Sequence, residues 1–231
     1  MADLSPPGSC IVESEHADCF SYLSEDELLT LDNNTINIEF KKGEVIAKQG
    51  SFASHIIYLK TGLAKIYLSG NSKDLILKIT PEKRFIGLSS IFEGNNKFIY
   101  SASTYVDSEA QLIDKEVFKT LFRNNSKFAA NIISIQNENA AQVYSRFYSL
   151  TRKQSSGLVA DLLMCLSNRV FKSTKFCLPL SRNDLADLVG LSVESVMRIL
   201  KDFKKEDLIE THGKHIEIIE PEALDKISIY G

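Results

Sequence analysis

The apolar positions of this chain change period along its length. Between residues 35 and 114 they form short runs: INIEF, EVIAKQ, IIYLK, LAKIYL, DLILKI, FIYSASTYV and AQLI. These runs are rich in β-branched and aromatic residues, and Gly43, Gly50, Gly62, Gly70, Gly87 and Gly94 punctuate them. Short strands with glycine turns predict a sandwich, jelly roll or barrel. Ahead of them, Ser24 caps a short helix with acids in its first turn and Leu28, Leu29 and Leu31 on its apolar side. Beyond residue 114 the period becomes helical. A short helix over 116–122 is followed by a long one over about 126–150. Its stripe runs through Phe128, Ile132, Ile135, Asn139, Val143, Arg146 or Phe147, and Leu150, in heptad steps of four and three. Such a stripe serves either a seam with a second helix or one amphipathic helix lying on its own β region. In a seam, Asn139 would be the polar residue that fixes register.

The rest of the chain is helical with one short β element. Residues 151–157 are a polar break and the expected hinge. A helix over 157–171 turns Leu158, Leu162, Leu163, Leu166 and Val170 inward. Residues 180–214, LSRNDLADLVGLSVESVMRILKDFKKEDLIETHGK, then read as a helix-turn-helix with a β wing. Ser181 caps the first helix, with Asp184 at capping-box spacing. Gly190 sits where the turn needs a residue without Cβ strain, and Ser192 caps the second helix. Val196, Ile199, Leu200 and Phe203 form that helix's inner face, while Glu194, Met197, Arg198 and Lys201 form its outer face. Residues 208–210 and 216–219 bracket a glycine turn, giving the wing. Pro221 opens a last helix. Residues 1 to about 20, with Pro6-Pro7-Gly8, read as a loose arm.

Totals narrow the class. The 231 residues are 44% hydrophobic and 25% charged, globular values for one large or two modest domains. No run approaches a membrane span, and the acidic N-terminus lacks a signal pattern, so a cytoplasmic location is expected. Cys10, Cys19, Cys165 and Cys177 are too irregularly spaced for a disulfide framework, and Cys165 reads as core. Net charge is −3, and from Thr151 onward 12 Lys/Arg face 12 Asp/Glu. Phosphate binding must therefore rest on a local patch drawn from Arg182, Arg198, Lys201, Lys204, Lys205 and Lys214.

The helix-turn-helix resembles that of the cyclic-AMP receptor protein/FNR family of bacterial transcription regulators. The residues that carry the resemblance are Ser181-Arg182, Leu185-Ala186, Val189-Gly190-Leu191-Ser192, Glu194-Ser195-Val196, Arg198-Ile199-Leu200, Leu208-Ile209 and His212-Gly213-Lys214. In the β region, Lys42-Gly43-Glu44-Val45-Ile46, Gly50, Ile57-Tyr58-Leu59 and Gly62 sit where the family's β-roll places them. The resemblance implies an α+β chain: an arm (1–22), a β-roll sensor (23–122), a dimerisation helix (123–151) and a winged helix-turn-helix (152–231). It implies a homodimer with a seam through Ile132, Ile135, Asn139, Val143 and Phe147. It implies double-stranded DNA and RNA polymerase as partners, and no membrane. Val193, Glu194, Met197 and Arg198 would read bases: Glu194 a cytosine N4 amino group, Arg198 guanine O6 and N7, the other two thymine methyls. Arg182, Ser195, Lys201 and Lys214 would contact phosphates. The Val-Glu start with the later Arg is similar to the FNR branch and implies a TTGA-type half-site in an inverted pair. Met197 departs from that branch and leaves an outer base open.

The effector is the open part. Family members that bind cyclic nucleotides carry Gly-Glu-Leu and a later Arg-Ser/Thr-Ala. Here the stretch is Gly87-Leu88-Ser89 and Tyr100-Ser101-Ala102, so both charged contacts are missing and cyclic AMP is not expected. Lys97 and Arg84 stand off the matching places. The pocket left by Gly87, Leu88, Ser89, Tyr100 and Ser101 would be filled with core or hold an apolar or planar ligand such as haem. A four-cysteine iron–sulfur cluster is not expected, since no cysteine lies between 20 and 164. Cys10, His16 and Cys19 are the nearest approach to a metal set or redox pair, against two incidental cysteines on an arm. His212 and His215 in the wing lack further ligands. His55 is a haem ligand or, more simply, a surface turn residue. A redox event remains a third form of control, and a ligand-free β-roll that only makes dimer and partner contacts is the alternative. A cupin-like metalloenzyme fails on ligand count, with His55 alone inside the β region.

Overall fold

The computed structural model describes residues 10–15, 18–70, 74–92 and 94–231. They form two compact units, one of Ser14–Ala140 and one that joins residues 10–13 to Ala141–Gly231. In the first, α1 (Glu25–Asn33) precedes β1 (Thr35–Phe40), β2 (Val45–Ala47), β3 (His55–Thr61), β4 (Leu63–Leu68), β5 (Leu75–Pro81), β6 (Arg84–Ile86), β7 (Ser101–Thr104) and β8 (Ser108–Asp114). These strands pair antiparallel in two four-stranded sheets, ordered β1-β8-β3-β6 and β2-β7-β4-β5. Successive residues of a strand face opposite sides, and β3 buries both. Ile57 and Leu59 enter a core with Ala110 of their own sheet and Ala64, Ile66 and Ala102 of the other. Ile56 and Tyr58 enter a second core, on the helical side. A strand covered on both faces reads as an unbroken apolar run, which is why IIYL shows no alternation.

The second core is made by a 3-10 turn (Cys19–Tyr22), α1, α2 (Lys115–Asn124) and the start of α3 (Ser126–Arg152). Edge-to-face and tilted rings link Phe20, Tyr58, Phe85, Phe118 and Phe128 in sequence, with centroids 4.9 to 5.7 Å apart. The structure corrects the seam here. Phe128, Ile132 and Ile135 are buried in this core of their own chain. Asn139 accepts a hydrogen bond from Lys78 Nζ on β5 at 2.9 Å. Heptad spacing specifies a face, not its partner, and for this half of the helix the partner is the β-roll's own side.

The second unit holds α4 (Ser155–Cys165), a π-helical turn (Leu166–Phe171), β9 (Lys175–Cys177), α5 (Arg182–Val189), α6 (Val193–Lys205), β10 (Ile209–His212), β11 (His215–Ile218) and α7 (Pro221–Tyr230). The polar break narrows to Lys153 and Gln154 between α3 and α4. The helix expected over 157–171 begins at Ser155 and changes winding after Cys165, so Val170 is only half-buried. The wing pairs β10 with β11 about Gly213-Lys214, and β9 adds a third strand, in the order β10-β11-β9.

Where it is described, the expected loose arm is a buried strap. Cys10, Ile11, Val12 and Glu13 are each at most 5% exposed. Gln142 Nε2 donates to the carbonyls of Cys10 and Val12, both at 2.7 Å, and Arg169 Nη1 donates to that of Val12 at 2.9 Å. Cys10 forms a disulfide with Cys165, their Cα atoms 5.4 Å apart. Cys165 is therefore not merely core, and Cys10 does not pair with Cys19, which lies in the other unit. Pro6-Pro7-Gly8 and His16 lie outside the described residues.

Candidate nucleic-acid interface

Local chemistry builds the interface. At the start of α5, Ser181 Oγ accepts from the Asp184 amide at 3.1 Å, and the Asp184 carboxylate accepts from the Ser181 amide at 2.8 Å. α5 ends on Gly190, at φ 71°. An L side chain there costs roughly 1–2 kcal/mol, so glycine is the residue that lets the chain turn at once. Ser192 then caps α6, its Oγ accepting from the Ser195 amide at 3.2 Å. Val196, Ile199, Leu200 and Phe203 are buried, which fixes the roll of α6 about its axis and turns Glu194, Arg198 and Lys201 to solvent.

Val193 and Met197 are half-buried beside exposed Glu194 and Arg198, so all four expected base readers fall on one short stretch of α6. Its own backbone amide and the Ser192 hydroxyl hold the Glu194 carboxyl below the usual carboxylate range. It is an acceptor at neutral pH. Arg182 is the first residue of α5, and Lys214 lies in the wing turn. Arg182, Arg198, Lys201 and Lys214 are exposed and make no ion pair among the described residues. Ser195 Oγ lies 3.1 Å from Ser192 Oγ. Lys204 is already engaged: it lies 3.0 Å from Glu210 and also donates to the Thr211 carbonyl, joining α6 to the wing. Lys205 lies 4.0 Å from Asp202. His212 and His215 face each other across the wing and are exposed.

One contributor was read in the sequence only as a position of the α3 stripe. Arg146, on the last part of α3, donates through Nη2 to the carbonyl of Leu188 near the end of α5. Burial pulls its guanidinium down to about 10, against the nearby Asp161 charge, so it stays cationic at neutral pH. Leu150, one turn on, contacts the Gly190 position. Hydrogen bonds to charged groups contribute about 1.5–3 kcal/mol. Arg146→Ala is therefore expected to lower the stability of this unit by about 2 kcal/mol, with Arg146→Lys in between. A denaturant midpoint that falls at constant slope is the check.

The sensor cassette is closed by its own side chains. Gly87 (φ 95°) donates its N–H to Tyr100 Oη at 2.9 Å, and a Cβ on it would lie 2.8 Å from Phe98. Leu88 belongs to the helical-side core. Ser101 Oγ accepts from the Gln49 amide at 3.0 Å and lies 3.3 Å from Ser69 Oγ. Ser89 Oγ is buried without a hydrogen-bond partner among the described residues. Arg84 is 5% exposed and donates to the carbonyls of Ser14, Lys83 and Glu82. These residues do not fit a cyclic nucleotide: no carboxylate stands at position 88, and the nearby guanidinium is committed to backbone oxygens. His55 is half-buried and opens β3 opposite Asp114, with its Nδ1 2.8 Å from Ser54 Oγ, so it is a strand residue and not the expected surface turn residue. No group of three or more His, Cys, Asp or Glu among the described residues is placed to hold a metal ion.

Comparison with known proteins bears on both units. Residues 37–125 match the cyclic nucleotide-binding domain family, and residues 159–227 match the Crp-like helix-turn-helix domain family. The transcriptional activator protein Anr of Pseudomonas protegens is 24% identical over 78% of this chain and 75% of its own length. The nitrogen fixation regulation protein FixK of Rhizobium meliloti is 24% identical over 80% of this chain and 83% of its own. The solved structure of FixK2 from Bradyrhizobium japonicum superposes with a TM-score of 0.77 at 18% identity, over 85% of this chain and 98% of that one. A β-roll whose ligand cassette is filled, joined to a capped helix-turn-helix and a wing, makes this chain a transcription regulator of the CRP/FNR family.

Proposed function

We propose that the protein is a homodimeric, sequence-specific regulator that binds an inverted repeat of TTGA-type half-sites and answers to a signal other than a cyclic nucleotide. The observation that carries this reading is the outer face of α6, where Glu194 and Arg198 are exposed between half-buried Val193 and Met197. A short helix with an ionised acceptor, a guanidinium and apolar neighbours matches the donor, acceptor and methyl pattern of the major groove. Arg182, Ser195, Lys201 and Lys214 surround it as phosphate ligands. For the dimer, the supporting surface is an exposed stripe on α3: Ile133, Val143, Tyr144, Phe147 and Tyr148 are 46–74% exposed. Val143 and Phe147 keep their place in the seam, and Ile133 with Tyr144 takes over from Ile132 and Ile135. The cytoplasm is where such a regulator meets its DNA and RNA polymerase.

The test is selection from random duplexes, for the native chain and two variants. The native chain should enrich TTGA-type inverted repeats. Glu194→Ala should relax the choice at the C·G pair of each half-site. Arg182→Ala should weaken all sequences alike. Unchanged base preference in Glu194→Ala would sink the base assignment. The filled cassette favours a second reading for the sensor, in which the β-roll holds no small ligand and serves dimer and partner contacts only.

A further inference from the structure

The strap and its disulfide lie apart from the expected base and phosphate readers, yet they are built into the same unit. Three groups hold the strap. Gln142 on α3 and Arg169 on the π-helical turn grip its carbonyls, and Cys165 at the end of α4 bonds Cys10. α4 packs directly on α5, α6 and α7, so the bond lies one helix away from the base-reading face. Because Cys10 and Cys165 are 155 residues apart, closing the bond places all of Ser14–Ala140 inside one covalent ring.

We propose that Cys10 and Cys165 form a reversible disulfide, exchanged with a low-molecular-weight thiol–disulfide couple, that latches residues 10–13 onto the DNA-binding unit and sets its affinity for DNA. This rests on the reading of the chain as a regulator working beside the chromosome. In that reducing compartment a disulfide is transient rather than structural. The exchange balances without a further reactant. The Cys10 thiolate, carried on the strap, attacks one sulfur of a small disulfide RSSR, forming a mixed disulfide and releasing RS⁻. The Cys165 thiolate then attacks the Cys10 sulfur and releases the second RS⁻. Two electrons pass from the protein thiols to RSSR, and the two protons they shed end on two RSH. Excess RSH runs both steps backward. The other cysteines are set apart from this chemistry. Cys19 is buried in the sensor core, and burial with the neighbouring Asp18 charge pushes its thiol up to about 12, leaving little thiolate. Cys177 is exposed on β9 as a free thiol.

The test equilibrates the full chain with glutathione at stepped ratios of reduced to oxidised form, followed by alkylation, peptide mass analysis and DNA titration. A single two-electron step with a Cys10–Cys165 crosslinked peptide is expected. It should vanish in Cys10→Ser and in Cys165→Ser and persist in Cys177→Ser. Affinity for the selected inverted repeat should differ between the two wild-type forms by roughly tenfold or more, and not respond to glutathione in Cys165→Ser. Independent alkylation of the two thiols at every ratio, or a Cys10–Cys19 crosslink, overturns the site. A formed disulfide with equal affinity in both forms overturns its control of DNA. If neither form nor the variants bind any selected duplex, the DNA-binding reading fails instead, and the crosslink result still decides the disulfide.

Discussion

Arg198→Ala is expected to weaken binding to a TTGA-type inverted repeat by about 30-fold to more than 10,000-fold. A bidentate contact to guanine discriminates by about 1–3 kcal/mol, and a two-fold dimer loses it at both half-sites. The buried row Val196, Ile199, Leu200 and Phe203 leaves α6 no freedom to roll and present another cation in its place. Lys201, the nearest alternative, lies almost a turn farther along the helix. Binding to unrelated duplex should fall far less, because a phosphate contact carries no sequence information. Titration of both duplexes at one fixed salt concentration separates the cases. An equal loss on each would mean that Arg198 holds the backbone and that the base reader lies elsewhere.

Phe118→Ala should have the largest effect on stability, about 3–5 kcal/mol. The ring is 0% exposed and stands edge-on to both Phe85 on β6 and Phe128 at the start of α3. Its removal opens a void where the sheet, α2 and α3 meet. The neighbours cannot close it, since Phe85 is also held by Tyr58 and Phe20. For a unit of this size that loss lowers the melting temperature by roughly 10–20 °C. Calorimetry should show the sensor transition moving down. A shift of only a few degrees would mean that α2 and α3 collapse onto the sheet and refill the space.

The helix-turn-helix was readable because its determinants are local. Ser181 with Asp184, Gly190, Ser192 and the apolar face of α6 each act within a turn or two, and each does what its spacing announced. The stripe on α3 was readable only in part. Its period names the buried side of a helix, but Phe128, Ile132 and Ile135 meet residues far away in sequence, and no spacing distinguishes those from a second copy of the helix. The sensor cassette was legible by subtraction: Leu88 and Tyr100 announced two missing charges. That Tyr100 turns its hydroxyl onto the Gly87 amide depends on the folded sheet and has no sequence signal. The strap left no mark at all. A short, mostly apolar stretch among polar residues resembles any frayed terminus, and Gln142, Cys165 and Arg169 look like ordinary helix residues until they meet it.

That strap bears on how the protein can be divided. Cutting the chain before Ala141 to obtain the DNA-reading part alone would remove Ile11 and Val12, which are 3% and 0% exposed. It would uncover the surface they bury and take away the Cys10 and Val12 carbonyls to which Gln142 donates and the Val12 carbonyl to which Arg169 donates. A soluble fragment would need residues 10–13 supplied again, as a separate peptide or through a linker joined ahead of α4. The fold's natural seam for dissection thus runs through two places in the sequence at once.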